Sequence, residues 1–190
     1  MRNEMEVSKG NHKLGKDTLI FNMGPATDCP SRQAGFCKVA DKCYAMKAER
    51  MYKQSLPYRR RQADYWKTND ASKIAADLNK HLKRKFKVPV AYVRFNESGD
   101  FYGQEDVEKL KAVARLVDIT IYGFTARSDL NYEGLPDNLV INGSSFMVDN
   151  SFTAVPESEI SSEDVKCEGN CRECDKCKSK NGLAIKVAYH

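Results

Sequence analysis

Seven cysteines fall into two groups: Cys29, Cys37 and Cys43 near the start, then Cys167, Cys171, Cys174 and Cys177 near the end. Thiolates gathered at short spacing bind metal. The second group reads CEGNCRECDKC, with gaps of three, two and two residues, so its sulfurs can reach one ion or one small cluster. Four ligands complete a coordination shell, whereas three leave a position open, the mark of a catalytic rather than a structural centre. An odd count, the lack of an apolar block in MRNEMEVSKGNHKLGKD and the poor geometry of adjacent bridges across C-x-x-C-x-x-C argue against disulfides.

The nature of the metal is a choice between iron-sulfur and zinc. Structural zinc usually takes two C-x-x-C knuckles separated by a longer loop, whereas a C-x-x-C-x-x-C run resembles the way bacterial ferredoxins wrap a four-iron four-sulfur (4Fe-4S) cluster. Iron-sulfur is the expectation, with one or two clusters, and zinc is the alternative. A single cluster shared by cysteines from both ends of the chain is a third arrangement. His12, His81 and His190 have no metal-ligand spacing among themselves, although His12 or His190 could add a fourth ligand from a terminus.

Other candidate groups follow predicted strands. Glu97 and Asp100, in the segment NESGD, form a carboxylate pair that can bind an amino group or move a proton; Arg94 and Arg127 could neutralise them. Asn22, Ser98, Gly99 and Ser144 are the remaining candidates for binding a cofactor. Each segment also has a plainer reading, since Asn, Ser, Gly and Asp after a strand are ordinary turn and cap formers.

The elements that would position these groups alternate. Thr18–Met23 predicts a strand, followed by the cysteine loop and a helix from Tyr44 to about Met51 that Pro57 interrupts. Helix resumes after Pro57 and again near Ala71, where Ile74, Leu78 and Leu82 share a face. Val90–Phe95 and Ile119–Phe124 are strands flanking an amphipathic helix over Gln104–Val117, a β-α-β unit. Leu139–Asn142 and Leu183–Tyr189 complete about five strands. The expected class is α/β: a single domain over residues 1–190 with a mainly parallel sheet resembling a partial (β/α) barrel, and a cysteine-rich metal-binding segment at 167–177. Parallel strands send their carboxyl ends to one rim, so the first cysteines, NESGD, Thr125–Arg127 and Asn142–Ser145 should converge there.

At 190 residues the chain suits one core. No apolar run is long enough for a membrane span, and a cytoplasmic protein is expected. The net charge of +5 is unevenly placed, with a basic stretch from Lys47 to Arg61 and an acidic one from Glu157 to Asp175. Tyr52, Tyr58, Tyr65 and Trp66 interleave with arginines, which suggests a surface for nucleic acid or a nucleotide-containing substrate; a solvated helix face, with Trp66 in the core, is the plainer reading. A host protein is the other partner considered.

The segments KLGKDTLIFNM, DCPSRQAGFCKVADKCYAMKAERMY, VRFNESGDFYGQEDVEKL, IYGFTAR and CEGNCRECDKC together resemble the gene product 88 family of bacteriophage proteins, a resemblance that implies the host cell cytoplasm as the expected compartment. A looser similarity is to radical S-adenosylmethionine enzymes, which carry three cysteines after the first strand of a partial β/α barrel and bind the methionine moiety after the second. The spacing here, seven then five residues, differs from the three then two usual there. That resemblance implies a 4Fe-4S cluster on Cys29, Cys37 and Cys43 with one iron free for S-adenosylmethionine, whose sulfonium is split on reduction. It further implies Glu97 and Asp100 at the cofactor's amino group with Ser98 and Gly99 beside them, and an auxiliary cluster on Cys167, Cys171, Cys174 and Cys177. Under the rival reading both cysteine groups are metal staples in a non-enzymatic protein that binds nucleic acid or a host factor.

Overall fold

The computed structural model describes residues 4–11 and 13–189; His12 and His190 lie outside them. Six strands run parallel in chain order: β2 (Thr18–Phe21), β3 (Tyr92–Phe95), β4 (Thr120–Thr125), β5 (Leu139–Ser144), β6 (Asn150–Val155) and β8 (Ala184–Ala188). Two short strands form the edges: β1 (Ser8–Lys9), antiparallel to β2, and β7 (Val165–Lys166), parallel to β8. The α/β class and the mainly parallel sheet are as expected, while the strand order has two free ends and shows no closure into a barrel.

Strands laid down in chain order with right-handed crossovers put their connecting helices on one face. The helices are α1 (Pro30–Gln33), α2 (Tyr44–Met51), α3 (Ser55–Thr68), α4 (Ala71–Leu82) and α5 (Gln104–Arg115). Alternate residues of the strands, Leu19, Phe21, Val93, Phe95, Ile121 and Ile141, meet Trp66, Ile74, Leu78, Leu110 and Val113 in one core. The ring centroids of Phe21 and Phe95 are 5.4 Å apart, and those of Trp66 and Phe95 5.8 Å. Asp70 caps α4 through the Lys73 N–H at 2.8 Å, and Glu105 and Asp106 open α5 where the helix dipole favours acids.

Three local expectations are corrected. The break between α2 and α3 falls at Tyr52–Gln54, before Pro57, which sits in the first turn of α3, where its missing N–H costs no helical bond. Strand β6 was not foreseen, because a parallel neighbour normally needs a crossover of a dozen residues, and only Ser145–Asp149 separate β5 from β6. That tight link requires Gly143, where a Cβ would lie 2.1 Å from the Phe146 carbonyl oxygen. The short edge strands β1 and β7 were also unforeseen.

The strand residues facing away from the helices form a second surface. Arg94 pairs in register with Ile20 and Tyr122, and Phe124 with Asn142. The crossover from β7 to β8 lies over this surface instead of forming a helix. From Cys167 to Gly182 it contains no aliphatic or aromatic side chain. No helix among the described residues is long and apolar enough to cross a membrane.

Candidate functional site

The carboxyl ends of the parallel strands do converge. A cavity of about 180 Å³ is lined by all three early cysteines, the Glu97–Asp100 turn, Ala126 after β4 and Ser144 at the end of β5. Cys29 immediately precedes α1 and Cys43 immediately precedes α2, so two of the three thiols stand at helix starts.

The cysteine loop is held by a side chain that the sequence did not single out. Glu49, on α2, is buried and paired with buried Arg59 at 2.8 Å. Its carboxylate also accepts from the Ala26 N–H (2.7 Å), the Thr27 N–H (3.1 Å) and the Thr27 hydroxyl (2.8 Å), with the Ser98 hydroxyl at 3.5 Å. Burial pushes this carboxyl up, but hydrogen bonds from Thr27, Ala26 and Arg59 outweigh it and leave it below the usual range.

Asp100 is the second tie. It is buried and accepts from the Ser31 hydroxyl of α1, the Ala126 N–H at 2.8 Å and the Phe101 N–H at 2.8 Å, joining the cysteine loop to the ends of β3 and β4. Burial raises its pKa above the ordinary carboxylate value. Gly99 lets the turn pack on the loop: its φ is +78°, and a Cβ there would lie 2.6 Å from the Gly24 carbonyl oxygen. Asn96 and Ser145 also adopt left-handed φ, 55° and 68°, beside the cavity.

The other sequence candidates divide. Glu97, Ser98, Gly99, Asp100 and Ser144 line the cavity, and Glu97 accepts from Asn11 Nδ2 at 2.5 Å. Asn22 stands behind the wall, where its Oδ1 accepts the Ser98 N–H at 2.8 Å and its Nδ2 donates to Gln62 at 3.0 Å. Arg127 is outside the lining and is committed to Asp129 (2.8 Å) and to the carbonyls of Phe101 (2.7 Å) and Tyr102 (3.0 Å). Arg32, which the sequence did not single out, lines the cavity with a buried Nε that has no hydrogen-bond partner among the described residues.

The late cysteines gather around a smaller cavity of about 20 Å³, together with Phe152 and Ile185, room for a water-sized body. Two buried asparagines seat this loop. Asn142 Nδ2 donates to the Cys177 carbonyl at 2.9 Å, and Asn150 Nδ2 to the Ser179 carbonyl at 2.8 Å and to Asn142 Oδ1 at 3.0 Å. Lys178, also buried, donates to the Cys171 carbonyl at 2.9 Å.

Burial pushes the thiols of Cys29 and Cys177 up to about 11, and raises Cys37 and Cys171 as well. Any metal bound there must therefore displace protons. Among the described residues no three His, Cys, Asp or Glu side chains are drawn together tightly enough to hold a single ion. A cubane cluster distributes its cysteines over separate irons and asks for a wider spread of sulfurs than a single zinc does. The donor set and the room at the triad fit such a cluster, while the tetrad loop must open to accept one.

The aromatic interleaving of the basic stretch has a structural use. Trp66 is fully buried and Tyr65 nearly so, while Tyr44, Met51 and Tyr52 on and after α2 are exposed. A family model described as Gene product 88 matches residues 5–167, a span that includes the triad and ends at Cys167. No curated protein and no solved structure matches the chain.

Proposed function

The chain belongs to the gene product 88 family, and from that premise we propose that it is an iron-sulfur protein whose triad cavity is a reaction centre of the radical S-adenosylmethionine type. One observation carries the reading: three cysteines and the Glu97–Asp100 turn, contributed by the carboxyl ends of β2 and β3, share one cavity of about 180 Å³. A structural staple needs no such space, whereas an open-sided centre with a ligand does.

When bound, a 4Fe-4S cluster carrying S-adenosylmethionine on its open iron supplies reductive cleavage of the sulfonium. The remaining work belongs to the chain. Cys29, Cys37 and Cys43 would hold the cluster as thiolates. Glu97 is the wall carboxylate best placed for an ammonium group, since Asp100 already serves Ser31, Phe101 and Ala126. Arg32 offers its unpartnered Nε to a carboxylate. Gly99 allows close backbone approach, and Ser144 adds a hydroxyl to the lining. The tetrad is the auxiliary metal site, and its loop rearranges to take either iron-sulfur or zinc.

The test is iron, sulfide and zinc content of protein purified without oxygen, with the optical spectrum before and after dithionite and the electron paramagnetic resonance signal with and without S-adenosylmethionine. Iron and sulfide with a bleachable visible band, and a signal altered by S-adenosylmethionine, support the proposal. Zinc alone, with no visible band, overturns it and favours the metal-stapled binding protein, for which the exposed Tyr44 and Tyr52 beside Lys47, Arg50 and Lys53 are the surface to test with single-stranded nucleic acid.

A further inference from the structure

The structure redraws the basic, aromatic surface of the chain and brings it to the rim of the triad cavity. Tyr65 and Trp66 turn inward, and Arg59, Arg60 and Arg61 are committed to Glu49, Asp28 and Glu6. What remains outside is one face of α2. Tyr44, Lys47 and Met51 follow one another at i, i+3 and i+7 with Arg50 beside them, opposite buried Ala45 and Glu49, and Tyr52 and Lys53 continue the surface beyond the helix. Tyr44, Met51 and Tyr52 are 59%, 60% and 61% exposed, three of the six large hydrophobic side chains left in water among the described residues, so that exposure is concentrated here. Lys47, Arg50 and Lys53 form no ion pair among those residues.

Cations alone on a helix face make an ordinary solvated surface. Large rings left in water among them do not, because the same rings buried in the core would contribute more to folding. The Tyr44 hydroxyl donates to the Glu97 carbonyl at 2.5 Å, which fixes the ring while its face stays open, and a fixed ring loses little freedom on stacking. From Cys29 to Gln54 the chain carries Arg32, Lys38, Lys42, Lys47, Arg50 and Lys53 against Asp41 and Glu49, and Glu49 is buried on Arg59. The outward surface is therefore positive and suits an anionic polymer. Flat rings among the charges select unpaired bases over an acidic peptide. Lys42 and Tyr44 also line the cavity, so a strand lying on α2 reaches its mouth. We propose that the outward face of α2, with Tyr52 and Lys53, docks single-stranded nucleic acid and presents one of its nucleotides to the triad cavity, which makes nucleic acid the substrate class of that site. The assignment of a substrate rests on the triad cavity being a reaction centre; the docking does not.

The chain carries its own control. Lys83, Arg84, Lys85 and Lys87 form a second exposed cationic stretch between α4 and β3, at the amino ends of the strands and so on the rim opposite the cavity. No exposed aromatic ring accompanies it, since Phe86 is partly buried and lies under the Lys9 ammonium at 3.7 Å. Attraction by charge alone would use both stretches, whereas stacking uses α2 only.

The experiment measures binding of the full chain, purified without oxygen, to short fluorescein-labelled oligothymidylate and oligouridylate by anisotropy, with duplex DNA and polyglutamate as competitors. Tyr52→Ala should weaken binding about 5-fold to 100-fold, while Tyr52→Phe, which keeps the ring, should stay near the parent. Lys47→Gln combined with Arg50→Gln should flatten the slope of log affinity against log salt by about 1.4, from about 0.7 for each lost phosphate contact. Lys83→Gln, Lys85→Gln and Lys87→Gln together should leave affinity close to the parent's. A thiothymidine in the oligonucleotide should photocrosslink to the peptide from Lys42 to Lys53. Absence of binding, equal weakening by the 83–87 changes, competition by duplex or polyglutamate as strong as by single strand, an unaffected Tyr52→Ala chain, or crosslinks confined to other peptides each overturn the docking, whatever metal the chain holds. Docking that passes these tests in a chain holding zinc alone overturns the substrate assignment and leaves a binding protein, so the two failures are told apart.

Discussion

Replacing Glu49 by glutamine should be more damaging than removing its ionic partner, because the carboxylate has more than one duty. Its two oxygens serve Arg59, the Ala26 and Thr27 backbone N–H groups and the Thr27 hydroxyl, all at 2.7–3.1 Å. Glutamine keeps one acceptor and turns an NH₂ toward buried donors, and it leaves the Arg59 guanidinium without a counter-ion. Breaking a buried pair in this way costs about 3–5 kcal/mol. Arg59→Met is milder. Glu49 retains its other donors, and the Ala45 carbonyl, which Arg59 serves at 3.0 Å, is the chief loss, for about 1–3 kcal/mol. For a chain of this length each kcal/mol moves the melting temperature by about 2–4 °C. Thermal unfolding of metal-free protein, with thiol-reagent accessibility of Cys29 followed in parallel, should show Glu49→Gln melting lower and exposing Cys29 sooner. An Arg59→Met chain as destabilised as Glu49→Gln would refute the idea that the loop before the triad hangs on Glu49.

Other expectations concern the same framework. Asp100→Asn, which removes a charged acceptor from Ser31 and the Ala126 N–H, should cost about 1–3 kcal/mol and selectively lower iron bound at the triad, measured with the tetrad intact. Gly99→Ala places a Cβ 2.6 Å from the Gly24 oxygen at a φ of +78°, so triad loading should fall while α4 and α5, read by helical circular dichroism, persist. Asn150→Ala should loosen the tetrad loop, making the 167–182 segment sensitive to protease in the metal-free protein. Asp77 offers a pH test. Burial opposes its ionisation, yet bonds from Lys73, Tyr65 and Lys80 hold its pKa down at about 2. A depressed carboxylate contributes stability above its unfolded pKa and loses it as the pH falls through the folded one, here between about pH 4 and pH 2. Because both lysines are substantially exposed, the contribution is about 1 kcal/mol, and Asp77→Asn should remove that part of the acid slope in urea melts.

The periodic elements were legible in the sequence. Ile74 and Leu78, then Val107, Leu110 and Val113, announce α4 and α5 because a 3.6-residue repeat has one physical use in a chain of this kind. The meeting of the cysteines with Glu97–Asp100 was legible too, since parallel strands must deliver their carboxyl ends to one rim. Side-chain commitments were not. Glu49 lies in a charged run that reads as a solvated helix face, and only the fold turns it inward against Arg59. Arg127 looked like a partner for the acidic pair but spends its guanidinium on Asp129 and two carbonyls. Asn142 and Asn150 resemble turn residues, and their bonding to a loop some 30 residues downstream leaves no local pattern. Strand β6 was hidden by a link too short for any ordinary parallel connection.

The crossover between β7 and β8 lacks the apolar stripe by which a helix would dock, and β8 must enter between β6 and β7 to complete the sheet. Under the proposed reading of the 167–177 cysteines as a metal site, completion of the sheet would depend on metal supply in the cell that makes the protein. A chain synthesised when metal is scarce would leave the edge of β6 open, with Phe152 nearby, and such an edge invites pairing with other chains or capture by proteases. The abundance of intact protein, and not only its activity, should then follow the metal status of the cell.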